Sequence, residues 1–251
     1  MQFDSAMSFE YESARAGHYN EGRSENKGGE PEAIEYGKFV GHRLVFVGSE
    51  RANVVGVYRI GSNYEPELQQ LLPTGWGPEG LHAIPKRSLF VIANEEADGG
   101  VPSMITIYKA SRRYKSEYPQ LSSVDENGGT PIPWVAMSGL AGDPDDANTL
   151  YGVSDSILAD GFVYTIDVSG HRSGLITERT QVTDPSNLSA GWPEGFFPDL
   201  EGVASIPDSQ GGGFWLASEG RNGARPNALI RTDDSGVVTH IAELPAGLIA
   251  G

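Results

Sequence analysis

The 251-residue chain contains no cysteine, which excludes disulfides, thiolate metal centres and a cysteine nucleophile, and is compatible with an exported protein without requiring one. Basic residues are scarce: 18 Lys and Arg stand against 34 Asp and Glu, leaving a formal net charge of −16. Such a surface repels phosphate backbones and anionic headgroups, so nucleic acid is not an expected partner. It suits either a cation-binding face or simple solubility outside the cell. No run of about 18 apolar residues is present to span a membrane, and Met1 to Ser5 lack the basic start and apolar stretch of a signal peptide. Also missing are the nucleophile elbow Gly-x-Ser-x-Gly, the zinc motif His-Glu-x-x-His, the phosphate loop and the dinucleotide fingerprint. Serine-esterase chemistry of the elbow type is therefore not expected.

What the chain has in quantity is glycine, proline and repetition. Its 33 glycines, 16 prolines and 38% apolar residues fit many short strands joined by tight turns. Four copies of one pattern follow each other. They open at Pro31-Glu32-Ala33-Ile34, Pro78-Glu79-Gly80-Leu81, Met137-Ser138-Gly139-Leu140 and Leu200-Glu201-Gly202-Val203, and close at Gly48-Ser49-Glu50, Ala93-Asn94-Glu95, Val153-Ser154-Asp155 and Ala217-Ser218-Glu219. Opening and closing marks lie 16 to 18 residues apart with a turn signal midway, so each copy folds into a hairpin that returns its closing acid to the edge where it began.

Repetition at this period predicts an all-β fold, a β-propeller of about four four-stranded blades. The blades fall at about 31–73, 78–122, 135–183 and 198–244, in a single domain spanning 31–251 after a polar lead-in loop over 1–30. The second blade takes its weak outer strand from Gln120-Leu121. Pro245 to Gly251 offer no closing strand, so the chain reads either as part of a larger propeller or as a short form that closes by pairing its ends. The basic run Arg112-Arg113-Tyr114-Lys115 reads as a solvated loop, and Trp76, Trp134, Trp192 and Trp215 as core or core rim.

These residues also carry a resemblance. Arg23 to Ala33, Phe46 to Arg51 and Gly77 to Leu81 resemble the propeller of choice-of-anchor I proteins. Asn148 to Ser156, Asp199 to Ala204 and Gly213 to Gly220 are similar to the esterase-like activity of phytase family. The resemblance implies an extracellular or periplasmic bacterial propeller that hydrolyses phosphoester or ester bonds of a small molecule, with bound calcium. Fold transfers more readily than reaction in such folds.

Within that frame the candidate metal ligands are Glu32, Glu79, Glu201 and Asp155. Convergent carboxylates repel unless they are protonated or share a cation, and hard oxygens favour calcium or magnesium. Each Glu can equally serve as a structural clasp on backbone amides of the neighbouring blade. Asp155 supplies the charge that Ser138 lacks in its copy. Glu50, Glu95 and Glu219 are candidate supporting or substrate-side acids, or else turn caps. Arg51, Arg221 and Lys27 offer cations to a phosphate, or ion pairs to neighbouring acids. His82 points to the same edge or away from it according to strand alternation. A non-catalytic propeller that binds a partner at a cell surface remains the alternative function.

Overall fold

The structure is a computed structural model and describes residues 4–19, 21–96, 102–111, 120–126, 128–170 and 173–245. The basic run 112–115 and the tail from 246 lie outside the described residues. The chain divides into two compact units, Met1–Glu117 and Tyr118–Gly251.

The first unit opens with a four-stranded antiparallel meander of β1 (Pro31–Phe39), β2 (His42–Ser49), β3 (Val54–Ile60) and β4 (Pro66–Pro73). Val40 and Gly41 join β1 to β2 with φ of 51° and 88°. This is the two-residue geometry whose twist matches a hairpin, and it suits Gly41 but strains Val40. β3 is buried from Val54 to Tyr58, as a strand covered on both faces must be, which explains its unbroken apolar run. A second sheet holds β5 (Pro78–Ile84), β6 (Leu89–Asn94) and β7 (Met104–Lys109). The core between the sheets is aromatic: Phe46 stacks on Phe90 with centroids 4.0 Å apart and meets Phe39 edge-on at 5.8 Å, with Val55, Val57 and Ile92 around them. Each such buried side chain contributes about 1.5–3 kcal/mol.

Two expectations are corrected here. The lead-in is not a loop throughout: α1 (Ser8–Arg15) and a 3₁₀ turn at Glu21–Arg23 precede β1. Phe9 and Ser13, one helical turn apart, are buried, and Phe9 packs on Ala52 and Val54. Eight residues are too few for a helical period to stand out in the sequence. The outer strand expected for the second blade does not join it. β8 (Gln120–Ser123) lies instead in the second unit.

That unit contains β9 (Met137–Gly142), β10 (Thr149–Ser154), β11 (Phe162–Asp167) and β12 (Ser173–Gln181), with β8 as a fifth strand parallel to β12. At four residues β8 cannot stand alone. The nine-residue β12 offers it an edge, with Ser173 opposite Gln120 and Ile176 opposite Ser123, and Val124 extends the ladder by donating to the Ile176 carbonyl. The fourth sheet is again a meander of β13 (Leu200–Ser205), β14 (Phe214–Ser218), β15 (Ala228–Thr232) and β16 (Val238–Glu243). Leu200, Leu216, Ile230, Val153 and Val163 form the core of the unit, joined by Trp192. Trp192 is the core tryptophan, whereas Trp76 and Trp215 are exposed. The fold is all-β, built of propeller-like blades.

First strands of consecutive blades in one unit approach closely. A Cβ on Gly139 would lie 2.8 Å from the Gly202 Cα and 3.2 Å from the Glu201 carbonyl oxygen, backbone that cannot step aside. Gly142, on the same strand, has open space at that position. Gly139→Ala should therefore destabilise the protein by about 1–3 kcal/mol in urea unfolding, whereas Gly142→Ala should be neutral or slightly stabilising; equal effects would contradict the packing described.

Candidate functional site

The four opening residues share a backbone peculiarity that no side chain announces. In each first hairpin the register slips at the opening mark: between Pro31 and Ala33, Pro78 and Gly80, Leu200 and Gly202, and, on the partner strand's side of the pairing, between Val153 and Ser154, opposite Gly139 and Met137. Glu32, Glu79, Glu201 and Ser138 are thus the extra residues of β-bulges, a device that re-aims a side chain out of the pleat. One hydrogen bond closes each bulged end. The N–H groups of Glu50, Glu95, Asp155 and Glu219 donate to the carbonyls of Glu30, Gly77, Ala136 and Asp199. The residue before each closing acid, Ser49, Asn94, Ser154 or Ser218, is buried. Ser49 Oγ donates to the Gly29 carbonyl at 2.5 Å, and Ser218 Oγ accepts from the Asp199 N–H at 3.1 Å.

In the first unit this geometry gathers Glu32, Glu50 and Glu79, with one carboxylate oxygen of each within 4.8 Å of the others. Glu32 and Glu79 are exposed and Glu50 is buried. Burial raises the Glu50 carboxyl above its ordinary range, Arg51 opposes this, and Glu32, Glu30 and Glu96 add to it. Glu79 is also raised, by desolvation, by a hydrogen bond with Glu95, and by the charges of Glu95, Glu50 and Glu32. Behind these acids lies a cationic brace. Glu30, buried, binds Arg23 at 2.7 Å, Lys27 at 2.6 Å and Arg51 at 2.9 Å, and these bonds hold its carboxyl down at about 2. Arg51 also reaches Glu50 at 2.7 Å and pairs with Glu96.

The second unit repeats the arrangement with different residues. Asp155, Asp199 and Glu201 present carboxylate oxygens within 4.8 Å of one another, Asp199 buried and Glu201 exposed. Glu201 is raised by desolvation and by Asp155, Asp199 and Glu219. For Asp199 burial works upward, but hydrogen bonds with Asp155, Ser156 and Arg225 outweigh it and hold the carboxyl low. Arg225, itself buried, pairs with Asp199, donates through Nε to the Glu219 carbonyl at 3.1 Å and lies over the Phe197 ring. Ser138 contributes no charge. Its hydroxyl donates to the Leu200 carbonyl, tying its bulge to the next strand.

The expected acids thus fall into two groups, one in each unit: Glu32 with Glu79, joined by Glu50, and Asp155 with Glu201. Glu95 touches Glu79, and Glu219 acts on Glu201 through its charge. Lys27 and Arg51 sit in the brace as ion pairs of Glu30. Two candidates do not gather there. Arg221 forms a two-oxygen pair with Glu194 at 2.5 and 2.6 Å rather than with Glu219. His82 is exposed, with Nδ1 3.8 Å from Glu35, and is not among the gathered groups. Asp199 was not expected. Its only sequence signal is that it stands two residues before an opening mark, where Glu30 stands in the first copy.

Arg225→Ala would leave Asp199 buried without its cation, a loss of about 3–5 kcal/mol. The sign of the pH dependence follows from the low Asp199 carboxyl. Its stabilisation is present above the unfolded-state pKa and is lost as pH falls through the folded one. Unfolding curves of wild type should therefore lose stability on acidification more steeply than those of Arg225→Ala, and parallel curves would remove the pair from the account.

No curated protein matches the chain. Among solved structures, Kuenenia stuttgartiensis hydrazine synthase aligns at 14% identity and TM-score 0.32 over 86% of this chain and 49% of its own. A Bacteroides fragilis protein named for 6-phosphogluconolactonase activity aligns at 13% identity and TM-score 0.24 over 91% of this chain and 59% of its own. The chain thus spans about half to three fifths of either structure. Family comparison agrees with the resemblance in the sequence: residues 132–251 match the family described as esterase-like activity of phytase, and residues 1–63 match the choice-of-anchor I domain.

Proposed function

We propose that the chain is an extracellular or periplasmic phytase-like propeller that hydrolyses phosphoester or ester bonds of a small molecule, using a hard divalent cation, calcium first, at its acidic groups. One observation carries the reading: in each unit three carboxylates from two successive blades converge within 4.8 Å, and an exposed member, Glu79 or Glu201, is raised by desolvation and by its neighbours. The donor set suits such an ion. Its ligands are all carboxylate oxygens, and each group contains like charges that a shared cation would relieve. Glu32, Glu50 and Glu79 would hold it in one unit, and Asp155, Asp199 and Glu201 in the other.

When bound, such a cation neutralises substrate charge and lowers the pKa of water. The protein's own groups do the rest. Arg51 and Arg225 keep Glu30 and Asp199 ionised, and the bulges hold the exposed carboxylates at the edge. Lys27, its side chain 65% exposed with Nζ on Glu30, is the basic group best placed to turn to a phosphate. The family matches support the reaction class and the location outside the cytoplasm.

Calorimetry on chelator-stripped protein, with p-nitrophenyl phosphate turnover followed in the same samples, tests the reading. Calcium should bind and support turnover. Glu79→Gln and Glu201→Gln should each weaken binding at their own group about tenfold or more, a loss of about 1.4 kcal/mol. Because the raised carboxyls must lose protons to bind, affinity should rise with pH across the range just above that of an ordinary glutamate. Absence of both binding and turnover would favour a non-catalytic binding propeller.

A further inference from the structure

The first unit contains a second concavity whose wall does not include the clustered acids. α1, the 3₁₀ turn and the Gly28-Gly29 bend close over the start of β1 and leave a small cleft of about 50 Å³. Phe9, Pro31 and Ala52 supply apolar wall, and Glu10, His18 and Tyr19 supply polar groups. Most of the exposed lining is carbon, so these few polar atoms determine what can bind.

Their chemistry is one-sided. His18 Nδ1 lies 2.9 Å from the Ala52 carbonyl oxygen. A carbonyl only accepts, so Nδ1 carries the proton and the neutral ring keeps Nε2 as a bare acceptor. Burial holds the ring neutral by lowering its pKa. Oε2 of Glu10 is sealed from solvent and has no hydrogen-bond partner among the described residues. Leaving a buried acceptor unpaired is costly, more so for a charged group. The hydroxyls of Tyr19 and Ser24 are satisfied by each other at 2.5 Å. The cleft therefore offers a carboxylate and an imidazole lone pair beside an aromatic ring, and lacks a free donor among these groups.

We propose that this cleft binds a small organic cation, a primary alkylammonium group, with His18 Nε2 accepting from the ammonium, the Glu10 carboxylate balancing its charge, and Phe9 and Ala52 covering its alkyl chain. An anion would meet Glu10 unfavourably, and a neutral alcohol would leave its charge uncompensated. A compact metal ion would leave the apolar wall unused. The site is independent of the acidic groups and of any hydrolytic activity.

The probe is n-butylammonium, titrated into the full chain by calorimetry and by amide chemical shifts, with butan-1-ol as its neutral counterpart. A ligand of this size should bind saturably at one site with a Kd on the order of a millimolar. Shifts should centre on Glu10, Ser13, His18 and Ala52, and butan-1-ol should bind at least tenfold more weakly. Glu10→Gln should reduce affinity about tenfold or more while leaving thermal stability unchanged or higher, since no hydrogen bond to Oε2 is lost. No saturable binding, equal binding of the alcohol, or shifts centred elsewhere would each overturn the proposal. Should Glu10→Gln fail to fold, the wild-type shift map and the alcohol comparison decide alone.

Discussion

In every copy of the repeat, the N–H of the closing residue donates to the carbonyl two positions before the opening one, across a β-bulge. The acidic edges depend on this constraint. A regular ladder would keep each opening side chain in the alternation of its strand, on one face of the sheet or the other. With one residue too many, the strand end bends and the extra side chain is turned out of the pleat. Glu79 then meets Glu50 of the preceding blade, and Glu201 meets Asp155. Charge is gathered at the edge where the bulges and their closing hydrogen bonds turn these side chains.

Gathering carboxylates raises the energy of the folded state, and the two units offset it in the same way. A buried acid two residues ahead of the bulge, Glu30 or Asp199, is held ionised by arginine. That brace fixes the backbone carbonyl to which the closing residue donates. Glu79 and Glu201, in front, remain without such a cation and are raised. The braced acids hold the edge in place, Asp199 while also standing in the carboxylate group of its unit, and the raised ones carry the uncompensated charge of that edge.

Much of this architecture was legible in the chain. The unbroken apolar run from Val54 to Tyr58 marked a strand, and Gly41 marked a turn, because burial and turn chemistry act through residue type. The bulges were not legible, since an added residue in a ladder leaves no side-chain signature beyond the small residue after it, as at Gly80, Gly139 and Gly202. Asp199 was missed for the same reason: its partner Arg225 is 26 residues away and outside the hairpin. The strand Gln120–Ser123 was assigned to the wrong blade because four residues with a single large apolar side chain do not encode which edge they pair with. Arg221 looked like the partner of Glu219 by proximity in sequence, but it pairs with Glu194, 27 residues away in the chain.

The central claim is that Glu79 and Glu201 are held in a high-titrating state that a divalent cation relieves. The most direct test is to follow their side-chain carboxyl carbons by NMR across a pH titration, with and without calcium. The account predicts that both titrate above an ordinary glutamate in metal-free protein and shift below it when calcium is added. Ordinary titration that calcium leaves unchanged would contradict it.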